Sequence, residues 1–252
     1  MWPVTCLGLA KRRLNTVYLE LLTNCNRGLG RSKKGKSDNS SSVLRHMFNS
    51  IVPSEHSKGS SCRARFHAEK RGFRVFGVAE SFNKSCWSST IAGIVMRRDL
   101  IVDGIVFGTV TIRGNDSTQN ILSMVRSLKR DDINCIMLDG LIISMYNIID
   151  GEEIREKTGV PVLAITFKES EGLEGTIQRH FPNDSKLKLE QYHKLGQRDK
   201  ILLKTGKFIF ARYWGLSSNE ASTIVNSLTL QGSIPEPIRI AKLAARASMR
   251  RQ

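Results

Sequence analysis

The chain has 252 residues, 39 Lys/Arg against 23 Asp/Glu for a net charge of +16, and an apolar share of 40%. Its apolar runs are strand-length and fall short of the ~20 residues that a bilayer-spanning helix requires, so no such span is expected. So large a positive excess selects polyanions, nucleic acid first, as the partner class.

The opening MWPVTCLGLAKRR places an apolar run ahead of its basic residues, the reverse of a secretory signal, and a cytoplasmic location is expected. Met1–Gly72 carries 14 Lys/Arg against 4 Asp/Glu, more than half of the net charge. Within it, GLGRSKKGKSDNSSS and SKGSSCRAR are too polar to bury enough apolar surface to offset ordering entropy. Residues 1–65 are therefore expected to form a basic, disordered extension, and residues 66–252 the folded domain. Cys6, Cys25, Cys62, Cys86 and Cys135 show no CxxC pair, and the five histidines no HxxxH spacing. Neither a zinc site nor a disulfide framework is expected.

After Gly72 the pattern changes. Arg74–Ser81, Ser89–Arg97 and Ile101–Arg113 are rich in β-branched residues and separated by short polar breaks, which predicts three hairpin-linked strands. Asp116–Lys129 shifts to helical spacing, with Ile121, Leu122, Val125 and Leu128 on one side. Ile133–Leu138 reads as a buried parallel strand, Gly151–Thr158 as a helix and Val160–Phe167 as a fifth strand. A helix near Leu173–His180 and a strand at Lys207–Trp214 follow. Ser217-Ser218-Asn219-Glu220 has the spacing of a capping box that opens a further helix, and an Ala-rich helix entered through Pro235 and Pro237 closes the chain. This order predicts an α/β fold: a ribonuclease-H-like mixed five-stranded sheet with flanking helices and an added C-terminal strand and helices.

Ligands of such sheets sit beyond the carboxyl ends of the parallel strands, so acidic residues there are the candidates for chemistry. Glu80 ends the first strand, Asp116 follows the third and Asp139 ends the fourth. Gathered together, they could hold Mg²⁺ or Mn²⁺, which would activate water against a phosphodiester. Each has a plainer reading: Asp116 as a helix cap with Gln119, Asp139 as a turn residue before Gly140, Glu80 as a surface residue. Asp150 reads as a helix cap and Asp103 as a hairpin residue. Gly114 and Gly140 admit either a close phosphate or a turn. Tyr146 and Trp87 could stack on an unpaired base, although the core reading is preferred for both. Arg239 and Lys242 on the last helix could contact phosphate or form a solvated face.

RGFRVFGVAESF, VMRRDLIVDGIVFG, MLDGLIISMYNIID, TGVPVLAI and IPEPIRIAKLAARA, in that order between His67 and Met249, resemble the successive blocks of the endonuclease dU family, relatives of endonuclease V. The resemblance implies an archaeal protein with the endonuclease V-like variant of the ribonuclease H fold, acting on DNA that contains deoxyuridine. Many members read G-I-D-D after the first strand, where this chain has Gly77-Val78-Ala79-Glu80. The position of the metal-binding aspartate of endonuclease V is thus Ala79, which cannot ligate. Glu80 replaces it only if the strand bulges or ends there, because successive strand residues face opposite sides. Asp139 matches the family's L-D-G, and Asp116 the acidic residue after the third strand. Two functions follow. One is a metal-dependent endonuclease using Asp139, Asp116 and Glu80 as catalytic and metal-binding residues, with Arg239, Lys242 and Tyr146 on DNA. The alternative is a nucleic-acid-binding protein of the same fold with impaired catalysis, which Ala79 favours.

Overall fold

A computed structural model describes residues 70–83, 86–170 and 172–249. The extension assigned to residues 1–65 lies outside them. The elements are β1 (Arg74–Ser81), β2 (Ser88–Arg97), β3 (Val102–Thr111), α1 (Ser117–Ser127), β4 (Cys135–Asp139), β5 (Ile142–Ile143), β6 (Asn147–Ile148), α2 (Gly151–Thr158), β7 (Val162–Thr166), α3 (Glu174–His180), α4 (Ser185–Lys194), β8 (Asp199–Leu202), β9 (Phe208–Trp214), α5 (Ser218–Leu228) and α6 (Glu236–Met249).

One mixed sheet runs in the order β3-β2-β1-β4-β7-β9-β8. The first three strands form an antiparallel meander, β1 pairs parallel with β4 and β4 with β7, and β9 and β8 add on antiparallel. Strand alternation divides the core. Val75, Ala79, Met137 and Leu163 pack with Ile224, Ile238 and Ala241 of α5 and α6, while Phe76, Val78, Ile136 and Leu138 pack with Ile121, Leu122 and Ile154 of α1 and α2. β4 is buried from Cys135 to Leu138, as a strand covered on both faces must be.

The five expected strands and the added C-terminal strand, β9, are present, and β8 widens the sheet by one more strand. β8 escapes a reading from sequence because only Ile201 of its four residues is buried. α4 escapes because its one fully buried residue is Lys188, so no apolar stripe marks it. Asp103 lies in β3 where the register with β2 shifts, between the guanidinium groups of Arg74 and Arg130 at 2.9 and 3.2 Å. The capping box at Ser217 and Glu220 forms, and the Asp150 carboxylate caps α2 by accepting from the Glu153 amide at 2.9 Å.

Candidate functional site

Because β1 and β4 are parallel and β1–β3 antiparallel, the end of β1, the start of β2, and the ends of β3 and β4 lie at one end of the sheet. Glu80, Trp87, Thr111 and Asp139 therefore converge there from distant parts of the chain.

Asp139 is the last residue of β4, and Gly140 turns the chain at φ +85°. The Asp139 side chain is 14% exposed and its Oδ2 accepts from Lys242 Nζ of α6 at 2.7 Å, the lysine being 36% exposed. Glu80 lies across the strand end. Its Oε2 accepts from the Ser144 amide at 3.0 Å and its Oε1 from the Ser144 hydroxyl, which also lies 2.6 Å from Ser89 Oγ. Ala79, Glu80 and Asp139 line one small cavity of about 10 Å³, with space for a single water at most.

Asp116 is spent elsewhere. It stands at the N-cap position of α1 without capping it, which corrects the capping reading. Its carboxylate turns back to the Thr111 amide at 3.2 Å, the Thr111 hydroxyl at 2.8 Å and Asn147 Nδ2 at 2.7 Å. Burial pushes its pKa up, but the hydrogen bonds from Thr111 and Asn147 outweigh burial and hold it below the ordinary carboxylate value. The expected capping partner Gln119 donates instead to Glu153 at 2.7 Å.

Between β5 and β6, Ser144, Met145 and Tyr146 all take positive φ, of 45°, 56° and 73°. Three consecutive left-handed non-glycine residues persist only where surrounding contacts over-determine them. Glu80 holds the first. Lys188 holds the last: buried on α4, its ammonium donates to the Tyr146 carbonyl at 2.8 Å, the Gly114 carbonyl at 3.0 Å and Asn115 Oδ1 at 2.7 Å, 5.0 Å above the Phe181 ring. Burial lowers the pKa of this ammonium, with Asp184 opposing. No signal in the sequence distinguishes Lys188 from the other lysines of α4, because its role depends on two loops remote in the chain.

The aromatic residues divide. Tyr146 is half-buried, stacked on His180 at 5.7 Å and edge-on to Phe181 at 5.6 Å, so packing already engages it. Trp87 is 92% exposed, which overturns the core reading. Of the two cations expected on phosphate, Lys242 faces Asp139 and Arg239 is paired with Glu236 on its own helix. Sequence reading missed Arg198 and Arg212, which with Asp139, Thr166, Phe167 and Tyr192 line an open cavity of about 380 Å³ beside the end of β4.

β1 pairs regularly with β2 through Glu80 and Ser81, without a bulge, so Ala79 and not Glu80 shares the face of Asp139. Both Glu80 oxygens are engaged by Ser144, Asp139 is paired with Lys242, and Asp116 is bound by Thr111 and Asn147. Among the described residues no three His, Cys, Asp or Glu side chains are gathered so that they could hold a metal ion. The three-carboxylate Mg²⁺ or Mn²⁺ site expected from Glu80, Asp116 and Asp139 is not assembled, and these residues do not fit a divalent cation.

An antiparallel meander leading into a parallel β4 and β7, flanked by helices and ending in a carboxylate on β4, defines a ribonuclease-H-like α/β protein. The family model described as Endonuclease dU matches residues 71–249, and the chain belongs to that family. A UPF0215 protein of Pyrobaculum calidifontis is 36% identical over 169 residues, covering 67% of this chain and 92% of that protein. Among solved structures, a protein of unknown function from Archaeoglobus fulgidus superposes with a TM-score of 0.61 at 26% identity, over 70% of this chain and 98% of that one. Endonuclease V of Ciona intestinalis, in complex with a 24mer DNA containing an inosine, superposes with a TM-score of 0.51 at 15% identity, over 71% and 86% of the two chains, a likeness of fold. Family and fold together support a nuclease acting on DNA. No helix among the described residues is long and apolar enough to cross a membrane.

Proposed function

We propose that the protein acts on DNA containing deoxyuridine or another altered base, as a cytoplasmic endonuclease of its family, with the end of β4 around Asp139 as its working site. The observation that carries this reading is the position of Asp139. It ends the central parallel strand inside the matched region and borders a 380 Å³ cavity that also holds Arg198 and Arg212. An altered base pair costs less to open than a normal one, which supplies selectivity for a base displaced from the stack. The exposed Trp87 ring at the same end offers such a base a stacking surface.

A second reading is favoured by one specific observation: the position that would complete the acidic pair with Asp139 is Ala79, and Lys242 neutralises the carboxylate that remains. In that reading the protein binds altered DNA and does not cut it. One experiment tests both. Full-length protein is incubated with uracil-containing and plain DNA, duplex and single-stranded, with Mg²⁺, with Mn²⁺ and with chelator. Nicking of the uracil strand that disappears in Asp139→Asn supports the first reading. Salt-dependent binding without nicking in any condition supports the second. Full cleavage by Asp139→Asn would remove the role given to Asp139, and absence of both binding and nicking would overturn the two readings together.

A further inference from the structure

The charge at the end of β4 is balanced by the chain itself. β1 and β4 run parallel in register, Gly77 beside Met137 and Val78 beside Leu138. Alternation then turns Ala79 and Asp139 toward α6, and Ala79 packs in one cluster with Ile238 and Ala241 of that helix. α6 lies close on β1, since a Cβ on Gly77 would meet Pro237 Cβ at 2.5 Å. The residue after Ala241 is Lys242, whose ammonium donates to Asp139 at 2.7 Å.

A divalent cation at this end would need deprotonated oxygens free to approach it, and Mg²⁺ sites usually take one or two carboxylates with the remaining positions hydrated. The only carboxylate on this face among Ala79, Glu80 and Asp139 is Asp139, and it already has a cation at hydrogen-bond distance. A metal ion on the same carboxylate would be held within a few ångströms of an ammonium, and like charges that close in a half-buried setting repel strongly. We infer that the resident counter-charge of Asp139 is the Lys242 ammonium, and that this end of the sheet does not hold a divalent cation. The inference rests on the proposal that this is the working site, and it adds which cation serves it. A phosphodiester oxygen arriving there meets a fixed ammonium, and its engagement is insensitive to chelator.

Mn²⁺ is the probe, because free and bound ion are distinguished by electron paramagnetic resonance without any DNA present. Wild-type full-length protein is titrated beside Asp139→Asn, Lys242→Met and the double variant Ala79→Asp/Lys242→Met, each checked for native circular dichroism. The expected result is no Asp139-dependent Mn²⁺ binding by the wild type in the micromolar range. The double variant, which restores the second carboxylate and removes the ammonium, is expected to bind at least about tenfold more tightly. Adding Asp139→Asn to it should abolish the gain. Micromolar binding by the wild type that is lost in Asp139→Asn would overturn the inference, and this comparison stands even if the double variant fails to fold. A folded double variant that gains nothing would also overturn it, because Lys242 would then not be what keeps the metal out. Since no DNA enters the titration, failure of the proposed function and failure of this inference are read separately.

Discussion

Asp116 works in the structure as a tie between two loops and not as a helix cap. Its spacing from Gln119 reads as a capping box, yet its oxygens face backwards to Thr111 and Asn147 and tie the end of β3 to the start of β6. Asn147 is fully buried and completes the knot, accepting from the Ser117 amide at 3.2 Å and donating to the Thr111 carbonyl at 3.0 Å. Replacing Asp116 by Ala should cost about 1–3 kcal/mol at neutral pH, the range for losing charged hydrogen bonds. A native pKa held below the unfolded value of about 3.9 makes this contribution fully present above that value and lost as pH falls through the native one. The stability gap between wild type and Asp116→Ala, measured by urea unfolding, should therefore be constant from pH 8 to about pH 5 and close below about pH 4. A gap that persisted or widened in acid would show that the carboxylate is not what holds the loop. Cys135 is buried and its thiol pKa is pushed up by burial, which leaves it un-ionised and inert, while Cys86 is exposed and neither is in a disulfide.

Among elements, α6 has the most consequence, because its seating on β1 sets where Lys242 reaches. That seating depends on Gly77, where any side chain would collide with Pro237, its backbone carbonyl carbon lying only 2.7 Å from the added Cβ. Gly77→Ala is expected to destabilise the protein by about 1–3 kcal/mol or more, the cost of overpacking against backbone that cannot yield. The melting temperature checks this, and an unchanged value would mean that α6 is free to shift on the sheet. Most elements were legible from local pattern: β-branched runs gave the meander, and Ser217 with Glu220 gave the start of α5. α4 and β8 were not, because the first buries a lysine and the second is a short edge strand with a single buried residue.

At the scale of the whole molecule, the proposed DNA binding is expected to divide into a charge contribution and a stacking contribution from the exposed Trp87. The net charge of +16 predicts counterion release, so raising salt from about 50 to 200 mM should weaken binding of a single-stranded uracil oligonucleotide at least about tenfold. The Trp87 ring is 92% exposed at the same end as Asp139 and carries no charge. Trp87→Ala should therefore weaken binding about fivefold or more, the range for one stacked base, while leaving the slope against salt unchanged. Unaltered affinity in that variant would take Trp87 out of the interface.

The sequence by itself determined the fold class, the order of nearly all elements and the family, since these follow from apolar periodicity, turn chemistry and ordered blocks along one chain. The family resemblance also implies that Ala79 stands where a metal ligand would be. Only the tertiary structure decided what each carboxylate does, because that depends on partners remote in the chain: Glu80 with Ser144, Asp116 with Asn147, Asp139 with Lys242. Hydrogen bonds and ion pairs act over about 3 Å, and no local pattern encodes which distant donor will arrive within that distance.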